Sequence, residues 1–401
     1  MKITLLTQWF DPEPTFKGLV FAKELQKQGH EVEVITGFPN YPGGKVYPGF
    51  KIKLYQKEVV EGVTVTRLLL YPSHDKSAIG RIFNYISFML SVCIYGLFFM
   101  KRADRLYAYH PPLTVGVAAA IIRLIRRIPV VYVIQDMWPD TLRATGMIRN
   151  DRLLKFISML CKFVYKRVDK IVVLSPGFEK LLIERGVPAA KISVIYNWAD
   201  EQSLCQTRIE PLPQFSDSDK FHLLFAGNMG RAQALDNVID AAVLLRTRAP
   251  TVMFVMIGGG LEVDGLTARA NALGLTNIMF VPPVPMAEIG KYLRSADALL
   301  VHLSDDPLFR ITIPSKTQAY MAVGKPILMA VEGDAAHLIN DAGCGICTVS
   351  QDADALANAI VTMSEMNRAD LIAMGDNGAR YYYEKLGVQA GVANFIKQFE
   401  A

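Results

Sequence analysis

Apolar residues recur along this chain in two rhythms. Short runs such as KITLLTQWF, EVEVITGF, PVVYVIQD and DKIVVLS have the continuous apolar character of strands covered on both faces. Between them, apolar positions three or four apart predict helices: one from about Phe16 to Gln28, stopped by Gly29, one through the alanines 118 to 120 after YAYHPP, and one around 152–167. A polar, proline-bearing stretch over 197–219 lacks either rhythm and is expected to be a linker. The alternation then restarts with HLLFAGN, a helix at about 234–248, TVMFVMIGGG, a helix at 261–273, NIMFVPP, a helix at 286–294, ALLVHL, a helix from about 315 and KPILMA. Strand and helix in turn make parallel sheets, so the expected fold class is α/β, with two facing Rossmann-like domains and a cleft between them. The expected boundaries are 1–197 and 198–385, with a final helix at 386–401 packing back toward the first domain.

Composition narrows this picture. At 401 residues the chain suits two domains, and 51% hydrophobic against 20% charged residues excludes intrinsic disorder. Five scattered cysteines argue for a reducing compartment, and MKITLLTQWFDPEP breaks at Asp11 and Pro12 as a strand does, without a signal-peptide cleavage site. Charge is uneven. Residues 1–200 carry 28 Lys and Arg against 16 Asp and Glu, whereas the remainder carries 15 against 22, net +12 and −7. A basic half implies an anionic partner, and its cations are interleaved with apolar runs, as in KFISMLCKFVYKR, which favours an anionic membrane surface over nucleic acid. The run 82–100 has no charge and is long enough to span a bilayer, but Asn84, Ser87, Ser91 and Gly96 dilute it, so a buried or membrane-resting helix competes with a spanning one.

Chemistry in open parallel sheets belongs to the loops after the strands. After LLFAG, the loop Asn228–Gln233 leads into a helix and offers backbone N–H groups, with Arg231 as a charged donor for phosphate, although Gly227, Gly230 and a solvated Arg231 equally make an ordinary turn. Gly259, in the triple-glycine loop, is weak evidence by itself. The stretch Asp305–Ile327 is more pointed: Pro314 precedes a helix, Ser315 can cap it, and Arg310 and Lys316 could neutralise a leaving diphosphate. A capped surface helix with solvated cations is the bland alternative.

PSKTQAYMAVGKPI, AGNMGRAQALDNVIDAA, the IGGG loop and VVLSPGFEKLLIERGVPAAKISVIYNW together resemble family-4 retaining glycosyltransferases of the GT-B fold, most closely the bacterial O-antigen and capsule N-acetyl-L-fucosaminyltransferases. The resemblance implies a UDP-sugar donor and no other cofactor, a polyprenyl-diphosphate-linked sugar acceptor, no metal, and a peripheral position on the cytoplasmic face of a bacterial inner membrane. It also implies an Arg and a Lys on the diphosphate where this chain has Asn228 and Gln233, and two glutamates where it has Ile311 and Ala319. Arg231, Arg310 and Lys316 are the expected substitutes, Asn228 and Gln233 can still donate to phosphate oxygens, Pro314, Ser315 and Thr317 are expected around the diphosphate and Gln318 toward the ribose. In the first domain the resemblance marks His110 at the sugar edge and Gln135 with Asp136 in place of a His-Asp pair. Asp136 is expected to orient or deprotonate the acceptor hydroxyl, Trp138 and Asp140 to shape its pocket, and Gly18 to let substrate approach the backbone. A histidine at a strand end is otherwise more often structural.

Other chemistries lack their residues. Cys344 and Cys347 form a lone CxxC in what reads as a buried strand, with no second pair at zinc spacing. No GxxxxGK[ST] or GxSxG occurs, and Asp305-Asp306 is the one DxD-like acidic pair expected at a strand end. A non-catalytic sugar-nucleotide scaffold and a UDP-sugar epimerase of the same fold remain as alternatives.

Overall fold

The computed structural model describes residues 1–15, 17–73, 78–204 and 212–401, and the chain divides into two compact units, Met1–Tyr196 with Val392–Ala401, and Asn197–Gly391. The first contains β1 (Lys2–Leu6), α1 (Leu19–Lys27), β2 (Glu31–Gly37), β3 (Tyr55–Val60), β4 (Val63–Leu68), α2 (Ala78–Phe98), β5 (Arg105–Tyr109), α3 (Leu113–Arg126), β6 (Val130–Val133), α4 (Asp140–Ala144), α5 (Asp151–Arg167), β7 (Lys170–Val173), α6 (Pro176–Glu184) and β8 (Ile192–Val194). Its sheet runs β3-β4-β2-β1-β5-β6-β7-β8. All neighbours are parallel except β3 and β4, a hairpin that the apolar rhythm does not announce. β3 is an edge strand alternating exposed and half-buried residues, and its turn is Glu61-Gly62, both at positive φ.

The second unit contains α7 (Glu201–Leu204), β9 (Phe221–Ala226), α8 (Asp236–Arg248), β10 (Val252–Ile257), α9 (Val263–Ala272), β11 (Ile278–Val281), α10 (Met286–Ser295), β12 (Ala298–His302), α11 (Pro307–Arg310), α12 (Ser315–Ala322), β13 (Ile327–Ala330), α13 (Asp334–Ala342), β14 (Gly345–Cys347), α14 (Ala353–Ser364) and α15 (Arg368–Tyr381). Its parallel sheet runs β11-β10-β9-β12-β13-β14. Leu223, Phe225, Phe254 and Leu300 on its strands pack with Val238, Ala242 and Leu245 of α8 in a fully buried core.

Three expectations need correction. The 197–219 stretch is not a simple linker: Trp198 and Ala199 are buried, and Glu201 accepts from Tyr382 Oη and Val388 N, both at 2.9 Å. Only its 205–211 portion lies outside the described residues, as does Phe16 at the expected start of α1. The helix after Asn228–Gln233 does not follow directly. Arg231–Gln233 make a single 3-10 turn, Ala234 takes a left-handed conformation, and α8 begins at Asp236, so its first N–H groups lie beyond the loop. Cys344 is buried but β14 is a half-buried edge strand. The last helix, α16 (Val388–Glu400), starts in the second unit and from Val392 clusters with the first, where Phe395 meets Phe21 and Tyr107 at ring centroid distances of 5.2 and 5.7 Å and Ser193 donates to Gln398 at 2.9 Å.

Candidate active site

Each sheet reverses its winding beside its first strand, between β1 and β5 and between β9 and β12. Crevices form at the carboxyl ends of strands at such points.

In the second unit the loops after β9 and β10 lie backbone against backbone. Met229 N–H donates to Gly259 O at 2.7 Å, and a Cβ on Gly258 or Gly260 would stand 1.9 Å from Gly227 O or 2.2 Å from Met229 O. These glycines therefore serve loop packing. On the other side of the reversal, Ser304 N–H donates to Ala232 O at 2.8 Å, and His302, at the end of β12, has Nδ1 2.7 Å from Gln233 O and Nε2 3.1 Å from the Asn237 amide. A carbonyl only accepts, so Nδ1 carries the proton and Nε2 accepts. Burial, reinforced by the Lys316 charge, pushes the His302 pKa down to about 4 and keeps it neutral. No motif marks His302 in the sequence; only its place at the end of a reversal-point strand does.

Lys316 leans back from α12 into this floor. Its Nζ is enclosed without a hydrogen-bond partner, 3.6 Å from the centroid of the Phe225 ring, and burial lowers its pKa to about 7. Thr317 Oγ1 is likewise buried and unpartnered. Pro314 takes the cap position of α12 and Ser315 is its first residue, exposed and without a capping bond, which corrects its expected capping role. The first N–H bonded back is Thr317 to Pro314 O at 2.9 Å, leaving those of Ser315 and Lys316 open. A buried cation, an orphaned hydroxyl and two open N–H groups thus all belong to the first turn of α12, and these are the donor types an anion site uses.

Other expected residues are differently employed. Arg310 is half exposed and pairs with Asp305 at 2.8 Å and Glu332 at 3.6 Å. Arg231 is 90% exposed and leans toward Glu262, at 3.5 Å, on the rim of an open hollow of about 400 Å³ that Asp236 and Asp240 also line. Asp236 and Asp240 are themselves paired with Arg269, at 3.0 and 2.6 Å, so the carboxylate left facing Arg231 is that of Glu262. Gln233 is turned inward, its Oε1 accepting from Gly230 N–H at 3.0 Å and from Asn228 Nδ2 at 3.4 Å. Gln318 is buried, and the amide orientation that satisfies its surroundings turns the nitrogen to the Pro314 and Ser315 carbonyls, both at 3.1 Å, which directs its donor to its own helix rather than to a ribose.

In the first unit His110 directly follows β5, buried, with Nδ1 unpartnered and its ring edge-on to Trp138 at 5.1 Å. Burial pushes its pKa down to about 3, so it is a neutral imidazole. Asp136, two residues from Trp138 in the loop after β6, has its pKa raised by burial and acts electrostatically on Tyr41 and Tyr109. Gln135 beside it is half-buried, and Asp140 is tied to Arg185 at 2.6 Å. Gly18 caps α1. A Cβ there would lie 2.1 Å from Asp11 Oδ2, which accepts from Leu19 N–H at 2.7 Å. Sequence reasoning missed Glu13, a buried carboxyl accepting from the Asn40 and Tyr41 N–H groups at 2.7 Å each and from Phe10 N–H at 3.2 Å. It locks the loops after β1 and β2, where Trp9 and Tyr41 stack at 4.5 Å.

Two consecutive family models match the chain: a glycosyl transferase 4-like domain over residues 19–198 and glycosyl transferases group 1 over 209–380. The chain belongs to the GT-B glycosyltransferases. It is 27% identical to WcaI of Escherichia coli K12, named for colanic acid biosynthesis, over 100% of this chain and 98% of that one. It is 28% identical to the Pseudomonas aeruginosa glycosyltransferase WbjE over 60% of this chain, spanning 61% of WbjE. Anabaena HepE, solved with UDP and glucose, shares the fold with a TM-score of 0.69 at 17% identity, covering 100% of both chains.

Proposed function

We propose that this glycosyltransferase moves a sugar, with retention and without a metal, from a UDP-sugar to a polyprenyl-diphosphate-linked saccharide. The setting is O-antigen or capsule assembly at the cytoplasmic face of a bacterial inner membrane, and N-acetyl-L-fucosamine is the donor sugar the sequence resemblance favours. The observation that carries the donor half is the unpartnered, buried ammonium of Lys316, a residue of the first turn of α12, whose Ser315 and Lys316 N–H groups are open. Three donors of the right polarity on one helix turn support a diphosphate there, as does HepE, of the same fold, which was solved with UDP. Both carboxylates of the acidic pair are already committed to the protein, Asp305 to Arg310 and Asp306 to the Leu308 N–H at 2.8 Å, which favours cation and amide stabilisation over a bound metal. WcaI, named for colanic acid biosynthesis, supports a cell-surface polysaccharide as the product.

In this reading the bond between the anomeric carbon and the diphosphate oxygen breaks with its electron pair going to that oxygen. The acceptor hydroxyl oxygen bonds to the same face of the carbon, and its proton passes to the departing phosphate. Lys316 and the α12 amides neutralise the growing charge, and Asp136 orients the acceptor hydroxyl. The basic first unit rests on anionic lipid.

Pure protein incubated with UDP-sugars and a lipid-diphosphate acceptor tests the proposal. Glycosylated lipid with the donor's anomeric configuration, in EDTA, is the expected result. An isomerised donor would make the protein an epimerase, and binding without turnover a scaffold.

A further inference from the structure

Helix α2 has two unlike faces. On one, Asn84, Phe88, Val92 and Tyr95 are buried, a Cβ on Gly96 would come within 2.4 Å of Ile122 Cδ1 on α3, and Arg126 of α3 donates to the Gly96 and Met100 carbonyls at 2.9 and 2.6 Å. On the other, Ile82, Phe83, Ile86, Leu90, Ile94 and Phe98 form a stripe 41–75% exposed. Leu124 and Ile125 of α3 extend the exposed apolar surface near its C-terminal end, where Lys101, Arg102 and Arg127 are exposed. The helix is long and apolar enough to cross a bilayer. Spanning, however, needs lipid on every side, and the inner face is committed to the domain: Asn84 Oδ1 accepts from Gln8, and its Nδ2 donates to Asn40 Oδ1 at 3.2 Å and Tyr71 O at 2.7 Å. Pulling α2 out would orphan these buried amides. An apolar stripe bordered by cations fits an anionic bilayer surface, with the helix lying in its plane.

The inner-face contacts give this placement a consequence. Gln8 precedes Trp9 in the loop after β1, and Asn40 precedes Tyr41 in the loop after β2, the two aromatics stacking at 4.5 Å. Asn84 therefore touches both loops from the helix whose opposite face is free.

We propose that α2 lies flat on an anionic bilayer through its outer stripe and that Asn84 transmits that contact to the loops bearing Trp9 and Tyr41. This rests on the membrane reading above and adds a coupling to it. The loops after β1 and β2 are then ordered when the protein is docked where its lipid-linked acceptor resides.

Flotation of the full chain with vesicles of phosphatidylethanolamine and phosphatidylglycerol, combined with amide hydrogen exchange, separates the two ideas. The expected result is that the chain floats and that amides 8–13 and 38–41 exchange about ten-fold more slowly on vesicles. Ile86→Glu with Leu90→Glu should abolish flotation while leaving the circular dichroism spectrum intact. Asn84→Ala should float like the native chain yet show no vesicle-dependent change in those amides. If that variant folds poorly, Asn84→Asp, which keeps an acceptor for Gln8 but loses both amide donations, takes its place with the same expectation. Native chain that floats without slowed loop exchange, or an Asn84 variant that retains it, overturns the coupling and leaves the membrane reading standing. No flotation at all overturns both. Vesicle-free dimers that the paired glutamates dissociate would assign the stripe to a second copy instead.

Discussion

The Lys316 ammonium stands 3.6 Å from the centroid of the Phe225 ring and about 3.4 Å from where a Cβ on Gly227 would sit. Both neighbours are consequential. The ring offers partial compensation for a buried charge, and a glycine at Gly227 leaves the space into which the charge points. Lys316→Met should therefore weaken UDP binding about ten- to a hundred-fold, the loss of one charge-assisted phosphate contact, while raising the melting temperature of the free protein because a desolvated cation is removed. Calorimetric titration and thermal unfolding of the same variant check the two signs together.

Arg310 provides the contrast. Its guanidinium is held by Asp305 and Glu332 in an exposed setting, so Arg310→Met should weaken UDP binding much less than Lys316→Met, with little change in melting temperature. Equal losses in the two variants, measured by the same titration, would return Arg310 to the diphosphate.

Burial lowers the Lys316 pKa to about 7, and this fixes a pH dependence. Free protein at pH 8 holds this amine mostly neutral, and a bound diphosphate restores the charged form. UDP binding should then take up close to one proton at pH 8 and weaken by roughly a decade per pH unit above 7. Titrations in buffers of different ionisation heat measure the uptake, which Lys316→Met should remove. For the free fold the sign is opposite. Between about 7 and the ordinary lysine value the unfolded chain binds more protons, so this group's contribution to stability rises with pH across that window and is at its least favourable below it.

Much of this architecture was legible in the residues. Continuous apolar runs marked nearly every parallel strand, because strands covered on both faces cannot hide among polar positions. The β3-β4 hairpin escaped, since an edge strand such as YQKEVV is half solvated and looks like loop. At the candidate site the place of Lys316 beside Pro314 is legible in the sequence, but the neighbours of Arg231, Gln233 and Gln318 are not. Their residue types suit phosphate or ribose, and only three-dimensional neighbours reveal that Glu262, Gly230 and the Pro314 and Ser315 carbonyls engage them instead. His302 and Glu13 stayed hidden for the converse reason: isolated polar residues in apolar or loop segments carry no periodic signal.

The glycine loops make a stability prediction. Gly258 and Gly260 have φ of 145° and 150°, and each faces a carbonyl oxygen of the β9 loop at a distance no Cβ tolerates. Gly258→Ala or Gly260→Ala should each cost more than about 2 kcal/mol, from backbone strain and displacement of the neighbouring loop. Gly265→Ala, in α9 with open space around its Cβ, should instead be neutral or stabilising. Denaturant unfolding of the three variants compares them directly.

Asp136 separates acceptor chemistry from donor binding. Its carboxyl lies in the loop after β6, and its charge acts on the phenols of Tyr41 and Tyr109 from the neighbouring strand ends. Burial raises its pKa, so it remains protonated to higher pH than an ordinary aspartate and transfer should decline as the medium is acidified through that value. Asp136→Asn keeps the shape and removes the charge. Turnover should fall at least about a hundred-fold, as for loss of a proton-accepting or orienting group, with UDP affinity unchanged because the anion site belongs to the other unit. The acid limb of the pH profile should vanish with it. A variant that lost UDP affinity in parallel with turnover would show that Asp136 acts through the fold rather than on the acceptor hydroxyl, and His110→Gln, which removes a neutral ring beside Trp138, gives the reference for a purely steric loss.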